Sequence, residues 1–167
     1  MHRLLIGLGG NIGDEPARAS VLRMAWQDVV RGLGLRGGRL SSIHVSRPAE
    51  GVGGGQFANA VGVGWARLPA SDALERLQAI ERAWGRRPRR SAEPEPRLLD
   101  LDLLDVGGVV LTTRGLTLPH PRLLRRDFVL APLCELAPGY IEPRHGRSAL
   151  RSLRALAAHE RTLEIGR

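Results

Sequence analysis

The run Arg97-Leu98-Leu99-Asp100-Leu101-Asp102-Leu103-Leu104 constrains this chain more than any other stretch. Two carboxylates stand two residues apart inside an otherwise apolar segment. In a strand, side chains at i and i+2 share a face, so Asp100 and Asp102 lie on one side and Leu99, Leu101 and Leu103 on the other. Neighbouring carboxylates repel and resist burial unless a cation or protons compensate them. A hard divalent ion held by one or two carboxylates plus substrate phosphates meets that need. A strand with one solvated face carries such a pair without any ion, so the pair alone leaves both readings open.

A chain of 167 residues suits one domain with a sizeable core, spanning residues 1–167. Its 43% apolar content argues against wholesale disorder. No apolar run approaches the roughly 20 residues of a membrane-spanning helix. The segment Met1 to Gly9 is too short for the apolar region of a signal peptide. The single cysteine, Cys134, cannot form an internal disulfide; among Ala131, Leu133 and Leu136 it reads as a buried thiol without chemistry. A cytoplasmic monomer with no membrane contact is the default expectation.

The formal charge is +8, and all 25 basic residues are arginine. Such a balance favours anionic partners: phosphates, nucleotides or nucleic acid. The few aromatic residues offer little for single strands to stack on, and neither zinc-finger spacing nor an RNA-recognition signature is present. A phosphorylated small molecule fits the charge equally well, and no nucleic-acid partner is expected.

Hydrophobic spacing predicts the elements. Leu4 to Leu8 reads as a strand, followed by a turn over Gly9 to Asp14. Asp14 is a natural N-cap, with Pro16 in the first turn of a helix that carries Leu22, Trp26, Val29 and Leu33. Gly34 and Gly37-Gly38 are read as its end. Leu40 to Ser46 is a second strand. Phe57, Asn59, Val61, Val63 and Trp65 alternate with Ala58, Ala60, Gly62 and Gly64, a strand with one bulky face. A second helix spans Ser71 to Trp84, with Leu74, Leu77, Ile80 and Trp84 on one side and Gly85 as its stop. A loop over Arg86 to Pro96 precedes the strand Leu98 to Asp105. Gly107-Gly108 is expected to turn a hairpin into Val109-Val110-Leu111. Leu116 to Leu118 is a short extended piece, and helices follow at Phe128 to Leu136 and Ser148 to Ala158. Strands and helices mix without strict alternation, which predicts an α+β sandwich with a mostly antiparallel sheet.

Several segments could serve phosphate chemistry. Gly51 and Gly53-Gly54-Gly55 form a segment of high backbone freedom that could close over a phosphate or simply connect two strands. Gly7-Leu8-Gly9-Gly10-Asn11-Ile12 lacks the last glycine of a dinucleotide fingerprint, so a Rossmann fold is rejected. Arg86, Arg87, Arg89 and Arg90 cluster ahead of the aspartates, and Arg122, Arg125 and Arg126 follow His120. Arginines give bidentate, charge-assisted hydrogen bonds to phosphates, whereas a charge run is also the ordinary mark of a solvated surface. No Ser-His-Asp or Cys-His pattern suggests a covalent intermediate.

Taken in order, five segments resemble the 6-hydroxymethyl-7,8-dihydropterin pyrophosphokinase family: Leu8-Gly9-Gly10-Asn11-Ile12-Gly13-Asp14, Phe57-Ala58-Asn59-Ala60, Pro96 to Leu104, Leu118-Pro119-His120-Pro121-Arg122, and Arg126 to Leu133. The resemblance implies transfer of pyrophosphate from ATP to the pterin hydroxymethyl group with release of AMP, a ferredoxin-like α+β fold, and two Mg²⁺ ions. It implies that Asp100 and Asp102 are metal ligands and catalytic, together with Arg97, Arg87 and Arg89. Gly9, Asn11, Phe57, Asn59 and Phe128 fall at pterin-binding positions. Gln78, Glu81, Arg97, Leu103, Thr117, His120 and Arg126 fall at nucleotide-binding positions. The physics suits these roles: phosphoryl transfer needs alignment and charge neutralisation, and aromatic faces suit a flat pterin. The chain departs from the family at Pro94-Glu95, where a Trp-Gly pair is usual. That departure leaves a binding homologue without turnover as the alternative reading, with a basic nucleic-acid-binding module behind it.

Overall fold

The computed structural model describes residues 1–46, 55–86 and 95–165, with side chains up to residue 158. The first apolar run forms strand β1 (His2–Gly10) in the middle of the main sheet. It lies between β4 (Phe57–Ala66) and β5 (Asp100–Val106), and a broken edge made of β2 (Arg36–Leu40) and β3 (His44–Ser46) pairs with β4. Helix α1 (Glu15–Leu33) links β1 to that edge, and α2 (Ala70–Ala83) links β4 to β5. All pairings in this sheet are antiparallel and the order is β2-β4-β1-β5. This is the α+β sandwich with an antiparallel sheet that the spacing predicts, in the ferredoxin-like arrangement that the family resemblance implies. A small ribbon, β6 (Leu111–Thr112) with β7 (Thr117–Leu118), comes next, and then α3 (Asp127–Leu136), a hairpin of β8 (Ile141–Glu142) and β9 (Arg147–Ser148), and α4 (Ala149–Ile165).

The alternation along β4 decides what packs on each side. Its small residues face α1, and the Trp26 ring fills the space that a side chain at Gly62 would need: an added Cβ would lie 2.2 Å from Trp26 Cζ3. Trp26, Leu22, Val29 and Leu33 of α1 and Leu77 of α2 close over Leu4, Ile6, Leu8, Leu101 and Leu103. The bulky face, with Val61, Val63, Leu5 and Leu104, is covered by Val129, Leu130 and Leu133 of α3 and by Leu153 and Leu156 of α4. Each fully buried leucine contributes about 1.5–3 kcal/mol. Asp14 caps α1 through Ala17 N–H at 2.9 Å, with proline in the first turn.

Three local expectations are overturned. Leu40 to Ser46 is not one strand: residues 41–43 leave the sheet, and Ser41 Oγ accepts the Val61 N–H at 3.1 Å in place of a strand partner. Gly37 and Gly38 lie inside β2 and do not end α1. Gly34 ends it alone, in the left-handed region at φ 63°. Gly107-Gly108 does turn the chain, with Val109 N–H on Val106 O at 3.0 Å, but Val110 and Leu111 do not pair with β5, whose Leu104 O accepts from His120 N–H (2.8 Å). Leu111–Thr112 pairs with Thr117–Leu118 instead. Cys134 is half-buried, and burial pushes its thiol up, so it stays protonated.

Register in β5 shifts once. Leu5 pairs with Asp105 and Ile6 with Leu103, which leaves Leu104 as an extra residue. Asp105 turns inward, fully buried, accepting the Gly108 N–H at 3.1 Å and facing Arg3 Nη2 at 3.5 Å. The bulge puts it on the same face as Asp100 and Asp102, but its partners are Gly108 and Arg3, so it does not join that pair.

Glu142 anchors the C-terminal hairpin. Burial works against its charge, but the N–H groups of Arg144 (2.9 Å) and His145 (3.0 Å) and the His145 ring outweigh burial and hold the carboxyl below the usual range. A depressed folded value means the charge stabilises the fold above the unfolded value of 4.5, and that contribution is lost as pH falls through the folded value. Glu142→Gln is therefore expected to lower Tm at neutral pH and to leave Tm unchanged in strong acid. A gap that persists in acid would show that the carboxylate charge does not hold the turn.

Candidate active site

Strand register brings the sequence-selected residues of three strands into rows. Gly9 of β1 pairs with Asn59 on one side and with Asp100 on the other, and Gly7 pairs with Val61 and Asp102. Paired residues point to the same face, so Phe57, Asn59, Gly9, Asp100 and Asp102 all lie on the α3 side of the sheet. Strands are about 4.8 Å apart, so the backbones at Asn59 and Asp100 stand about 10 Å apart across a glycine, with the Asn59 Oδ1 3.5 Å from where a Cβ of Gly9 would lie. Gly9 thus leaves a flat floor without a side chain, wide enough for a planar ring. Asn59 is 7% exposed and its Nδ2 donates to Ser46 Oγ at 2.9 Å, which fixes the orientation of the amide. Phe57 enters from the start of β4 and Phe128 from the start of α3; both are half-buried.

Cations surround the two aspartates. Asp100 Oδ1 accepts from Arg97 Nη1 at 2.8 Å and lies 3.2 Å from Arg86 Nη1. Asp102 Oδ2 lies 3.5 Å from Arg126 Nη1. Arg126 also covers the Phe128 ring, with its guanidinium carbon 5.4 Å from the centroid, so the arginine that faces Asp102 also packs on the aromatic ring. Arg97 itself is clamped by Asn11. The Asn11 Oδ1 accepts the Arg97 N–H at 2.7 Å and the Asn11 N–H donates to Arg97 O at 2.9 Å. Gly10 makes that approach possible, since an added Cβ would lie 2.4 Å from Leu98 O.

Glu81, 2% exposed, reaches β5 from α2, accepting the Leu101 N–H at 2.9 Å and pairing closely with Arg86. Burial, and secondarily the charge of Asp100, push its carboxyl up, opposed by Leu101 N–H and Arg86. Gln78 lies on the exposed side of α2, three residues before Glu81. Leu103 and Thr117 line a cleft of about 320 Å³ with Leu74, Leu116, Asp102 and His120. Burial holds His120 below its ordinary range, with Arg126 and Arg122 acting in the same direction and Asp102 against it. The ring is therefore neutral at pH 7. Its Nδ1 accepts from Arg122 N–H at 3.2 Å, which assigns the proton to Nε2 as a donor. Arg87 and Arg89 lie outside the described residues.

Sequence reasoning missed two things here. Arg86 counted only as part of a charge cluster, yet it joins Glu81 to Asp100. Asn11, expected at the pterin, also braces the site, its Oδ1 engaged by the Arg97 backbone. Arg86 was findable in principle, since it follows the helix stop Gly85 directly and so has a fixed root.

The donor set suits a hard divalent ion. Two carboxylates share a face, both side chains are about one-third exposed at 33% and 38%, and no third His, Cys, Asp or Glu joins them among the described residues. Mg²⁺ keeps several positions for water and substrate phosphates, so two protein carboxylates are the expected number.

Fold and site together define a ferredoxin-like α+β domain with a carboxylate pair, an arginine ring and a base-sized cleft, the parts of a phosphoryl-transfer site. The sequence matches the 7,8-dihydro-6-hydroxymethylpterin-pyrophosphokinase (HPPK) family over residues 5–138. It is 37% identical over 151 residues to a 2-amino-4-hydroxy-6-hydroxymethyldihydropteridine pyrophosphokinase of Synechocystis, covering 89% of this chain and 73% of that protein. It is also 36% identical over 135 residues to a mitochondrial folate synthesis bifunctional protein of Arabidopsis thaliana, covering 81% of this chain and 23% of the relative. A crystal structure of an HPPK-DHPS in complex with substrates superimposes with a TM-score of 0.66 at 12% identity, over 93% of this chain and 43% of the other. The chain belongs to the HPPK family. No described helix is long and apolar enough to cross a membrane.

Proposed function

We propose that this chain transfers pyrophosphate from ATP to the hydroxymethyl group of 6-hydroxymethyl-7,8-dihydropterin, releasing AMP. The observation that carries this reading is the row Asn59–Gly9–Asp100, which sets a ring-orienting amide and a metal-binding carboxylate on either side of a bare floor. The pterin lies on that floor between Phe57 and Phe128, where offset stacking adds about 1 kcal/mol per ring pair. The Asn59 amide, which both donates and accepts, reads its edge. The cleft of Leu74, Leu103, Leu116 and Thr117 takes the nucleoside; Gln78 and Glu81, on the same helix as Leu74, are assigned to the nucleotide by resemblance alone.

Asp100 and Asp102 would hold Mg²⁺, which supplies charge neutralisation on the phosphates and acidifies the attacking hydroxyl when bound. Arg97, Arg126 and the Nε2–H of His120 donate to phosphate oxygens and align the chain for in-line attack. Arg97 is held in place by Asn11, so the phosphate clamp is rooted at the end of β1, one residue beyond Gly10. Arg87 and Arg89 complete the set by resemblance. The chain acts as a soluble monomer in the cytoplasm and needs no nucleic-acid or membrane partner.

Arg97→Ala tests the division of labour. Turnover is expected to fall about 10²-fold or more, the usual loss for one charge-stabilising donor, with dihydropterin affinity within a few-fold of the wild type. AMP release and calorimetric pterin titration give the two numbers. Equal losses in both would remove Arg97 from the phosphates. Absence of AMP from the wild-type protein with both ligands still bound would favour the binding homologue.

A further inference from the structure

Arg144 lies beyond residue 138, where the family match ends, and outside the site just described. Its hydrogen bonds are nonetheless directed at one element. Arg144 Nη2 donates toward Leu118 O at 2.8 Å, Leu111 O at 3.2 Å and Thr112 Oγ1 at 3.2 Å. Those acceptors sit on both strands of the β6–β7 ribbon, in which Leu111 pairs with Leu118 and Thr112 with Thr117. A ribbon of two residues per strand cannot hold its own shape, since even longer isolated hairpins are marginal in water. The guanidinium is therefore a cross-strand staple. The stapled ribbon presents Leu116 and Thr117 to the cleft and continues directly into His120.

Arg144 is itself aimed. Its backbone N–H donates to Glu142 Oε1 at 2.9 Å, and the other oxygen of that buried carboxylate takes the His145 N–H at 3.0 Å. Gly146, at φ 64°, closes the turn with its N–H on Glu142 O at 2.9 Å. A fixed path thus runs from Glu142 through the 142–146 turn to Arg144, and from there across to the cleft wall.

We propose that Arg144 is a positioning residue for the nucleotide: it sets the β6–β7 wall against which ATP packs. The inference rests on the cleft being the nucleotide site. All three acceptors are met by the single Nη2, whose two N–H bonds share them, so a lysine ammonium that reached the same point would keep part of the contact.

Steady-state kinetics of Arg144→Ala, Arg144→Lys and a cleft control, Leu116→Asp, together with amide hydrogen exchange, test it. Arg144→Ala is expected to raise KM for ATP about fivefold, the loss of roughly one hydrogen bond, with KM for dihydropterin and kcat within about twofold. Exchange should quicken over residues 111–118 and not over the main sheet, and Arg144→Lys should recover part of the ATP effect. An unchanged KM for ATP in Arg144→Ala, with Leu116→Asp impaired, overturns the proposal and leaves the cleft reading standing. Equal rises in both KM values, or faster exchange across the whole sheet, also overturn it, because they mark a general structural role. Normal ATP use by Leu116→Asp overturns the cleft reading and the proposal with it.

Discussion

Asp102→Asn is expected to reduce AMP formation by about three orders of magnitude, the scale of losing a transition-state charge contact together with its metal. The protein should remain folded and still bind dihydropterin. The substitution keeps volume and shape, and the side chain it replaces is about one-third exposed, with Arg126 at 3.5 Å as its one ion pair among the residues described. Removal of that charge therefore has little to break in the core. Asp100→Asn should lose turnover to the same degree but behave differently toward nucleotide. Asp100 neutralises two arginines, Arg97 at 2.8 Å and Arg86 at 3.2 Å, whereas Asp102 faces one. Freed of their carboxylate, those arginines should bind the phosphates of metal-free ATP more tightly in Asp100→Asn than in Asp102→Asn. Calorimetry with ATP in the presence of a chelator separates the two. Mn²⁺ titration followed by magnetic resonance should show weakened metal binding in both. Full turnover in either variant would sink the assignment of the pair.

Those two aspartates were legible because strand alternation is a period-two signal that survives without tertiary context. The same holds for β4, whose bulky and small faces read directly from Phe57 to Trp65, and for α1, whose capping chemistry at Asp14, Pro16 and Gly34 is local. What was not legible depends on contacts far apart in sequence. Gly37-Gly38 look like a helix stop until Trp65 and Val30 are packed against them. The expected hairpin after Gly107-Gly108 stops at its turn, because His120, 16 residues beyond Leu104, takes the Leu104 carbonyl. Ser41 marks the break in the expected strand: its N–H still donates to Val61 O, while its hydroxyl takes the Val61 N–H that a strand carbonyl would otherwise accept. In the site, Arg86 and Asn11 act through partners that no spacing rule brings together. The family resemblance named these residues in chain order. The structure adds which of them are braced, and by what.

The second large effect belongs to the core. Gly62→Ala should destabilise the protein by about 3 kcal/mol, at the upper end of ordinary overpacking costs. In a domain of this size that lowers Tm by about 10 °C. The new methyl would stand 2.2 Å from Trp26 Cζ3 and 2.5 Å from Cη2, and neither side can yield cheaply. Gly62 lies in β4, hydrogen-bonded between β1 and β2, while Trp26 is 7% exposed and wedged between the sheet and α1. The relief must come from lifting α1, which would also disturb Leu22 and Val29. A double substitution separates this clash from any intrinsic cost of alanine in the strand. Trp26→Leu alone opens a cavity and is itself destabilising. If the ring is the obstacle, adding Gly62→Ala to Trp26→Leu should cost far less than in the wild type and can even recover stability by filling the gap. Equal costs in both backgrounds, measured by thermal and urea denaturation, would show that the small face of β4 is not shaped by Trp26.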